Sequence, residues 1–213
     1  MLVIEENDVG LFGSFKNAFF RLDGRYQFLR EEFYKSFSPR IMQRTIWCYD
    51  EIKKLKKDFK KIGILNSGYQ HFQGLLWKQL KAEHVFLYNL DENIKTINWA
   101  TLDYLKKYDI KIEQRTLDIS IDKKFIVNPD LLVNLSCENT FDMAASWDRD
   151  SFKTSVSETQ PIYAFSGTRL YERGHVNFCN NLEEFKNTLP KFDEVLYEAE
   201  REDCFFVIGK FNE

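Results

Sequence analysis

The run Asp130-Leu131-Leu132-Val133-Asn134-Leu135-Ser136-Cys137-Glu138-Asn139 is the strongest indication of how this chain folds. Its short continuous series of Leu and Val is typical of a strand buried on both faces, and such strands belong to parallel sheets that helices cover. The apolar run then ends in a cluster of hydrogen-bonding side chains. Because ligands bind beyond the carboxyl ends of strands in open sheets of this kind, residues 134–139 are expected at a functional site.

Other strand patterns flank this run and alternate with helical patterns. They lie at residues 62–65, 85–88, 110–112 and 161–165. Two final strands, at 194–200 and 204–209, are separated by only three charged residues. That connection is too short for a parallel crossover, so the two strands must form an antiparallel hairpin. The order predicts an α/β fold: a mostly parallel, doubly wound sheet of seven strands with an antiparallel C-terminal hairpin.

The first quarter of the chain has the spacing of helices. Ser38 and Pro39 suit the cap and first turn of a helix. An apolar stripe follows, with members three or four residues apart, and such a stripe needs a partner surface. The stripe consists of Ile41, Thr45, Cys48, Ile52, Leu55 and Phe59. We expect a helical extension over residues 1–58 that packs on a core domain at 59–213.

Composition and charge narrow the class of protein. Aromatic residues make up 16% of the 213 residues, which argues against a disordered chain. The formal net charge of −3 gives no overall attraction to nucleic acid or to a lipid surface. The sequence starts without a secretory pattern and has no apolar run of membrane-spanning length, so we expect a cytoplasmic protein without a membrane partner.

Cysteine and histidine are scattered, and no Cys-x-x-Cys pair occurs. We therefore expect reduced thiols and no metal site. The residues are Cys48, Cys137, Cys179 and Cys204, with His71, His84 and His175. A basic run of six lysines at 53–61 suggests nucleic acid as an alternative partner, but a charge run on an amphipathic helix is usually a solvated face.

The sequence resembles a group of phage-encoded and bacterial methyltransferase-like proteins of the Rossmann-like class I fold. In that group the fourth strand ends in Asn-Thr-Ser-Cys-Glu-His, which Asn134–Asn139 matches in part. Further similarity lies at Gly174-His175-Val176-Asn177, at residues 180–185 and at Val207-Ile208-Gly209. The resemblance spans about Lys60 to Gly209. It implies S-adenosylmethionine as cofactor, an unknown methyl acceptor or protein partner, and a phage-related protein in the host cytoplasm.

The resemblance also implies a set of cofactor contacts at the carboxyl ends of the strands. An acid such as Asp91 would bind the ribose hydroxyls, and Asp118 would lie by the adenine amine; alternatively, Asp91 is a helix cap and Asp118 a turn residue. The full set is Leu65, Asn66, Ser67, Gly68, Tyr69, Asn89, Asp91, Asp118, Asn134 and Ser136.

This chain departs from the group's pattern at three of its strand ends. The first loop, Gly-Ser-aromatic-Tyr-Gly in the group, reads Asn66-Ser67-Gly68-Tyr69-Gln70 here. Asn89 replaces an aspartate, and the fifth strand ends in Phe165-Ser166-Gly167-Thr168. These departures favour the alternative of a Rossmann-like scaffold that has lost the cofactor and serves as an interaction or particle protein.

Glu138 and His175 are the expected catalytic residues. Desolvation at the rim of an apolar strand lets a carboxylate such as Glu138 accept a proton, so it is expected to orient or deprotonate the acceptor. His175 is the expected second base or proton relay. The alternatives are that Glu138 binds a backbone amide or an arginine and that His175 is an ordinary loop residue. Cys137 is expected to be buried and inert.

Overall fold

The computed structural model describes residues 38–66, 73–89, 106, 109–116, 129–140, 142–146, 161–172 and 175–211. The fold is described for these residues, with side chains omitted at 73–75 and 145–146.

A single seven-stranded sheet organises these residues. Its strand order is β3-β2-β1-β4-β5-β7-β6. Strands β1 to β5 pair in parallel, and β7 pairs antiparallel with both β5 and β6. The predicted α/β, Rossmann-like sheet with its antiparallel C-terminal hairpin is therefore confirmed. The strands are β1 (Lys61–Ile64), β2 (His84–Asn89), β3 (Lys111–Thr116), β4 (Leu131–Asn134), β5 (Ile162–Thr168), β6 (Glu194–Arg201) and β7 (Cys204–Lys210).

The first described helix begins at the predicted cap but ends earlier than predicted. Ser38 Oγ accepts from the Ile41 N–H at 3.3 Å, and Pro39 opens the first helix. That helix ends at Lys54, before Lys56 takes a φ of 53°, so the prediction that its stripe reaches Phe59 is wrong. The described helices are α1 (Pro39–Lys54), α2 (Gln73–Gln79), a 3-10 turn (Cys137–Asn139), α3 (Met143–Ser146) and α4 (Leu182–Asn187).

Helices cover both faces of the sheet, as the buried strand β4 requires. On one face, α1 and α2 pack over β1, β4, β5 and β7 through Cys48, Ile52 and Trp77. On the other face, Phe185 of α4 stacks on Phe205 of β7 with ring centroids 5.7 Å apart. The polar strand ends are thereby left at the carboxyl edge of the sheet, where the candidate site is expected.

Helix α1 is part of the main core. Trp47 meets Phe206 edge-on, with ring centroids 5.8 Å apart, and Ile52 is 1% exposed. The start of α1 lies at the carboxyl edge, where Arg40 donates to Thr168 at the end of β5. Residues 1–37 lie outside the described residues, so the division at residues 58 and 59 stays a prediction. No helix among the described residues is long and apolar enough to cross a membrane.

If α1 is part of the core, Ile52→Ala should lower the free energy of unfolding by about 2–5 kcal/mol, because it leaves a cavity between α1 and the sheet. Gln43→Ala, on the exposed side of the same helix, should change it by less than about 0.5 kcal/mol. Urea denaturation measures both variants. Equal and small effects would show that α1 is not a core element.

Candidate functional site

The turn after β4 is built by internal hydrogen bonds. The Asn134 side chain accepts from the Ser136 N–H at 3.0 Å and donates to Thr140 Oγ1 at 3.0 Å. Thr140 in turn donates to the Cys137 carbonyl at 2.9 Å. Asn134 is fully buried, so its amide shapes the turn, and a ligand would meet the surface that this turn presents.

The end of β1 joins this turn. The Leu65 N–H donates to the Val133 carbonyl at 2.8 Å, and the Leu65 side chain lies in the core. Asn66 donates from Nδ2 to the Ser136 carbonyl at 3.3 Å and has a φ of 46°. Asparagine tolerates this left-handed conformation, so it can stand where related sequences have glycine. The structure thus brings the predicted residues Leu65, Asn66, Asn134 and Ser136 together.

The ends of β2 and β3 form the other half of the edge. Asn89 is 4% exposed and is the register partner of Thr116. The Thr116 hydroxyl oxygen is buried and has no hydrogen-bond partner among the described residues. Sequence reasoning missed Thr116, because a threonine at the end of a strand has no distinguishing pattern. A buried hydroxyl without a partner is suited to a ligand that can complete its hydrogen bonding.

Glu138 is held by an arginine that sequence reasoning did not select. Arg44 Nη1 donates to Glu138 Oε1 at 2.8 Å, and the two side chains are 8% and 5% exposed. Burial alone would lower the pKa of Arg44, but the adjacent Glu138 carboxylate reverses this effect and raises the pKa above its usual range. The structure therefore contains the arginine contact that was given as the alternative role of Glu138. The catalytic role of Glu138 stays a prediction.

This ion pair engages only one of the two carboxylate oxygens of Glu138. Glu138 Oε2 is buried and has no hydrogen-bond partner among the described residues, and the same holds for Arg44 Nε. The Glu138 carbonyl accepts from the N–H groups of Val176 and Asn177 at 2.9 and 3.2 Å. The backbone of Glu138 is thus fixed, and Oε2 remains able to accept a hydrogen bond from a ligand.

His175 lies in the loop that contacts Glu138. Its Nδ1 is 3.0 Å from the Leu170 carbonyl oxygen and 3.3 Å from the Glu172 nitrogen. These contacts hold the ring within its own loop. The structure brings the backbone of residues 175–177 to Glu138, but the proposed proton relay through His175 stays a prediction.

Thr168, at the end of β5, anchors helix α1 and the turn that contains Asp203. The Thr168 hydroxyl donates to the Asp203 carbonyl at 2.8 Å and accepts from Arg40 Nη2 at 2.8 Å. A Cβ on Gly167 would lie 2.7 Å from the ring of Phe185, so the packing of α4 requires glycine there. Phe165 is buried in the core against Phe192 rather than at the strand end. Packing therefore accounts for part of the departure from the related pattern.

Five predicted cofactor contacts lie outside the described residues. They are Ser67, Gly68, Tyr69, Asp91 and Asp118.

The buried thiols next to the ion pair are not suited to act as nucleophiles. Cys137 Sγ lies 3.5 Å from the Asn134 carbonyl, and burial raises the pKa of Cys137 well above its usual value. Burial also raises the pKa of Cys48 to about 12 and that of Cys204 to about 11. Because the thiolate is the nucleophile, Cys137 is not suited to covalent catalysis. Within the described residues, no group of three His, Cys, Asp or Glu side chains is arranged to hold a metal ion.

Comparison with known proteins supports the fold. No protein-family model and no curated protein sequence matches this chain. A solved S-adenosylmethionine-dependent methyltransferase from Aquifex aeolicus matches with a TM-score of 0.50 and 12% identity, over 77% of this chain and 89% of that chain. A chain of the fibrillarin/Nop5p complex matches with a TM-score of 0.51 and 9% identity, over 74% of each chain. This protein thus has the Rossmann-like fold of class I methyltransferases.

Removing one partner of the buried ion pair should cost more stability than removing both. Arg44→Met should lower the free energy of unfolding by about 3–5 kcal/mol, because it leaves the Glu138 charge buried without a partner. The double variant Arg44→Met/Glu138→Leu should recover most of this loss. Urea denaturation of the four proteins in the cycle measures the coupling.

Lys54→Met is the matched control for this cycle. Lys54 pairs with Glu51 at 2.7 Å but is 68% exposed, so water screens this pair and its loss should change stability much less than the loss of Arg44. If Arg44→Met costs no more than Lys54→Met, the buried pair is not an important constraint.

The raised pKa values predict unreactive thiols. At pH 8, little of Cys48, Cys137 or Cys204 is thiolate, and all three are buried, so iodoacetamide should not alkylate them in the folded protein. The same cysteines should be alkylated after unfolding in urea. Mass spectrometry of tryptic peptides measures the extent, and rapid alkylation of folded Cys137 would contradict the burial described above.

Proposed function

We propose that this protein is an S-adenosylmethionine-dependent methyltransferase, related to phage-encoded proteins, whose methyl acceptor binds at Glu138. The observation that carries the proposal is Glu138 Oε2. It is a buried carboxylate oxygen without a hydrogen-bond partner among the described residues, at the carboxyl end of β4 in a class I methyltransferase fold. The solved neighbour named as an S-adenosylmethionine-dependent methyltransferase supports the choice of cofactor.

The described strand ends fit a nucleoside cofactor. Asn89 and Thr116 are register partners at the ends of β2 and β3, and the Thr116 hydroxyl has no hydrogen-bond partner among the described residues. Amide and hydroxyl groups hydrogen-bond the hydroxyls and amines of a nucleoside. Asn66 and Ser136 would bound the opposite end of the cofactor. The remaining contacts would come from Leu65, Ser67, Gly68, Tyr69, Asp91, Asp118 and Asn134. When bound, the cofactor supplies an electrophilic methyl group.

The chain's own contribution would be alignment of the acceptor. Methyl transfer is a direct displacement, and a fixed near-attack geometry removes much of its entropic barrier. Arg44 fixes Oε1 of Glu138, which leaves Oε2 to accept a hydrogen bond from an N–H or O–H of the acceptor. Glu138 would thereby orient the acceptor and take its proton. His175 would act as the relay for that proton.

A cofactor-free scaffold is the second candidate. It is favoured by the Asn134 amide and the Leu65 side chain, both of which serve the fold itself. It is disfavoured by Asn66, which supplies the left-handed turn without glycine, and by Phe165, which lies in the core and does not fill the strand end. The two candidates differ in whether S-adenosylmethionine binds.

Calorimetric titration with S-adenosylmethionine decides between the candidates, and Thr116→Val locates the site. The variant should not lower stability, because the Thr116 hydroxyl has no hydrogen-bond partner among the described residues. It should weaken cofactor binding about fivefold through one lost hydrogen bond. Thr188→Val is the control. It removes a hydroxyl that donates to the Phe185 carbonyl at the C-terminal end of α4, and it should leave the affinity unchanged.

No binding to the unmodified protein at millimolar cofactor would eliminate the methyltransferase and leave the scaffold. Binding that Thr116→Val does not weaken would place the cofactor elsewhere.

A further inference from the structure

The basic run at residues 53–61 lies mostly outside a helix. Helix α1 ends at Lys54, so only the first two lysines of the run belong to it. The others lie in the connection to β1 or begin that strand. The solvated face of an amphipathic helix therefore does not account for most of the run. Its six lysines, all exposed, are Lys53, Lys54, Lys56, Lys57, Lys60 and Lys61.

Apolar residues between the lysines fix the connection against the core. Phe59 is 1% exposed, and the partly buried Leu55 packs against the same cluster of core residues. The Lys56 N–H donates to the Lys53 carbonyl at 3.1 Å, in the left-handed turn that ends α1. The backbone of the run is thus held in place. A partner that binds here has to order little more than the lysine side chains.

Three lysines of the run have no carboxylate partner among the described residues. They are Lys53, Lys56 and Lys57, here called the lysine surface. Lys53 lies over the ring of Tyr49, at 5.8 Å from its centroid. The nearby carboxylates are already engaged, in the pairs Lys54–Glu51, Lys60–Glu83 and Lys81–Asp58, with contacts of 2.7 to 3.0 Å. Like charges held close together repel one another, so an anion bound at this surface would be favoured.

A groove of about 580 Å³ leads from the lysine surface along α1 to the β6–β7 turn. Lys53 and Lys56 line it at one end of the helix, and Arg40 and Arg201 line it at the other. Four carboxylates also line the groove, and two of them are paired with its cations, as Glu51 with Lys54 and Asp203 with Arg40. The buried Arg44 is paired with Glu138. The cations that remain, Lys53, Lys56 and Arg201, outnumber the remaining carboxylates, Asp50 and Glu202.

This distribution of cations fits the phosphate backbone of a nucleic acid. The 16 residues of α1 extend over about 24 Å, which is the length of about seven base pairs of duplex. Cations at both ends of the groove can therefore contact phosphates of one molecule. A lipid surface is less well matched, because the large hydrophobic side chains that are exposed among the described residues lie at 170–178 and 195, away from the lysine surface.

We propose that the lysine surface, with Arg201 at the far end of the groove, binds the phosphate backbone of a nucleic acid. Contacts of this kind position a nucleic acid without reading its sequence. Three or four phosphate contacts predict that log affinity falls against log salt with a slope between about −2 and −4. The inference goes beyond the proposed function and does not depend on it, because none of these residues belongs to the candidate cofactor or acceptor site.

Fluorescence anisotropy of the full chain, without S-adenosylmethionine, tests the proposal. The probes are labelled duplex DNA, single-stranded DNA and single-stranded RNA, each of about 20 nucleotides per strand, which exceeds the length of the groove. At least one probe should bind with a dissociation constant of about 1–100 μM near physiological salt and with the slope given above. The relative affinities of the probes then identify the kind of nucleic acid.

Lys57→Gln should make the slope shallower by about 0.7–0.9, because one phosphate contact is lost. Lys56→Asn/Lys57→Gln should have about twice that effect on the slope and should weaken binding about tenfold or more at 100 mM salt. Asparagine tolerates the left-handed conformation of residue 56, so the double variant should keep its fold, which urea denaturation checks.

Lys191→Gln is the matched control. Lys191 is exposed and likewise has no carboxylate partner among the described residues, but it lies before β6 and outside the groove. This variant removes the same charge from the protein as Lys57→Gln and should leave the slope and the affinity unchanged.

Four results would overturn the proposal. They are no binding of any probe at 100 μM protein, a slope shallower than about −2, equal effects of Lys57→Gln and Lys191→Gln, and stronger competition by polyglutamate or phosphatidylglycerol vesicles than by unlabelled nucleic acid. The last result would assign the surface to an acidic peptide or to a lipid. None of these results bears on whether S-adenosylmethionine binds, so the proposed function is tested separately.

Discussion

The buried ion pair between Arg44 and Glu138 is the interaction on which the candidate site depends. Two charges that are over 90% buried persist only when they satisfy each other, because removing either from water costs several kcal/mol. The pair spans 94 residues of sequence and connects α1 to the turn after β4. It makes helix α1 a structural part of the carboxyl edge, where Arg40 provides a second anchor one helical turn away.

The polar groups of the carboxyl edge divide into two kinds. Asn134, Thr140 and Thr168 use their side chains in hydrogen bonds that shape turns and attach α1. Glu138 Oε2 and Thr116 Oγ1 are buried without partners among the described residues. The first kind stabilises the fold, and the second leaves unmet hydrogen-bonding capacity that a ligand can fill. The functional proposal depends on the second kind, of which the sequence indicated Glu138 but not Thr116.

The sheet could be predicted because its determinants are local. The apolar run at 131–133 and the short charged turn before β7 are readable from a few residues each, and both were confirmed. The site was harder to predict from the sequence, because its contacts join residues that are far apart in the chain. Arg44 did leave a signal, since it lies three residues after Ile41 and four before Cys48, on the buried stripe of α1. A charged residue on such a stripe indicates a buried partner, but only the fold identifies that partner as Glu138.

Hydrogen–deuterium exchange with and without S-adenosylmethionine tests the central claim most directly, because it asks where on the sheet the cofactor lies. The account predicts added protection at the carboxyl ends of β1, β2 and β3, at residues 64–66, 88–89 and 115–116. It predicts no change at the amino ends of the same strands, at residues 61, 84 and 111. Protection confined to the β6–β7 hairpin or to the amino edge, or no protection at saturating cofactor, would contradict it.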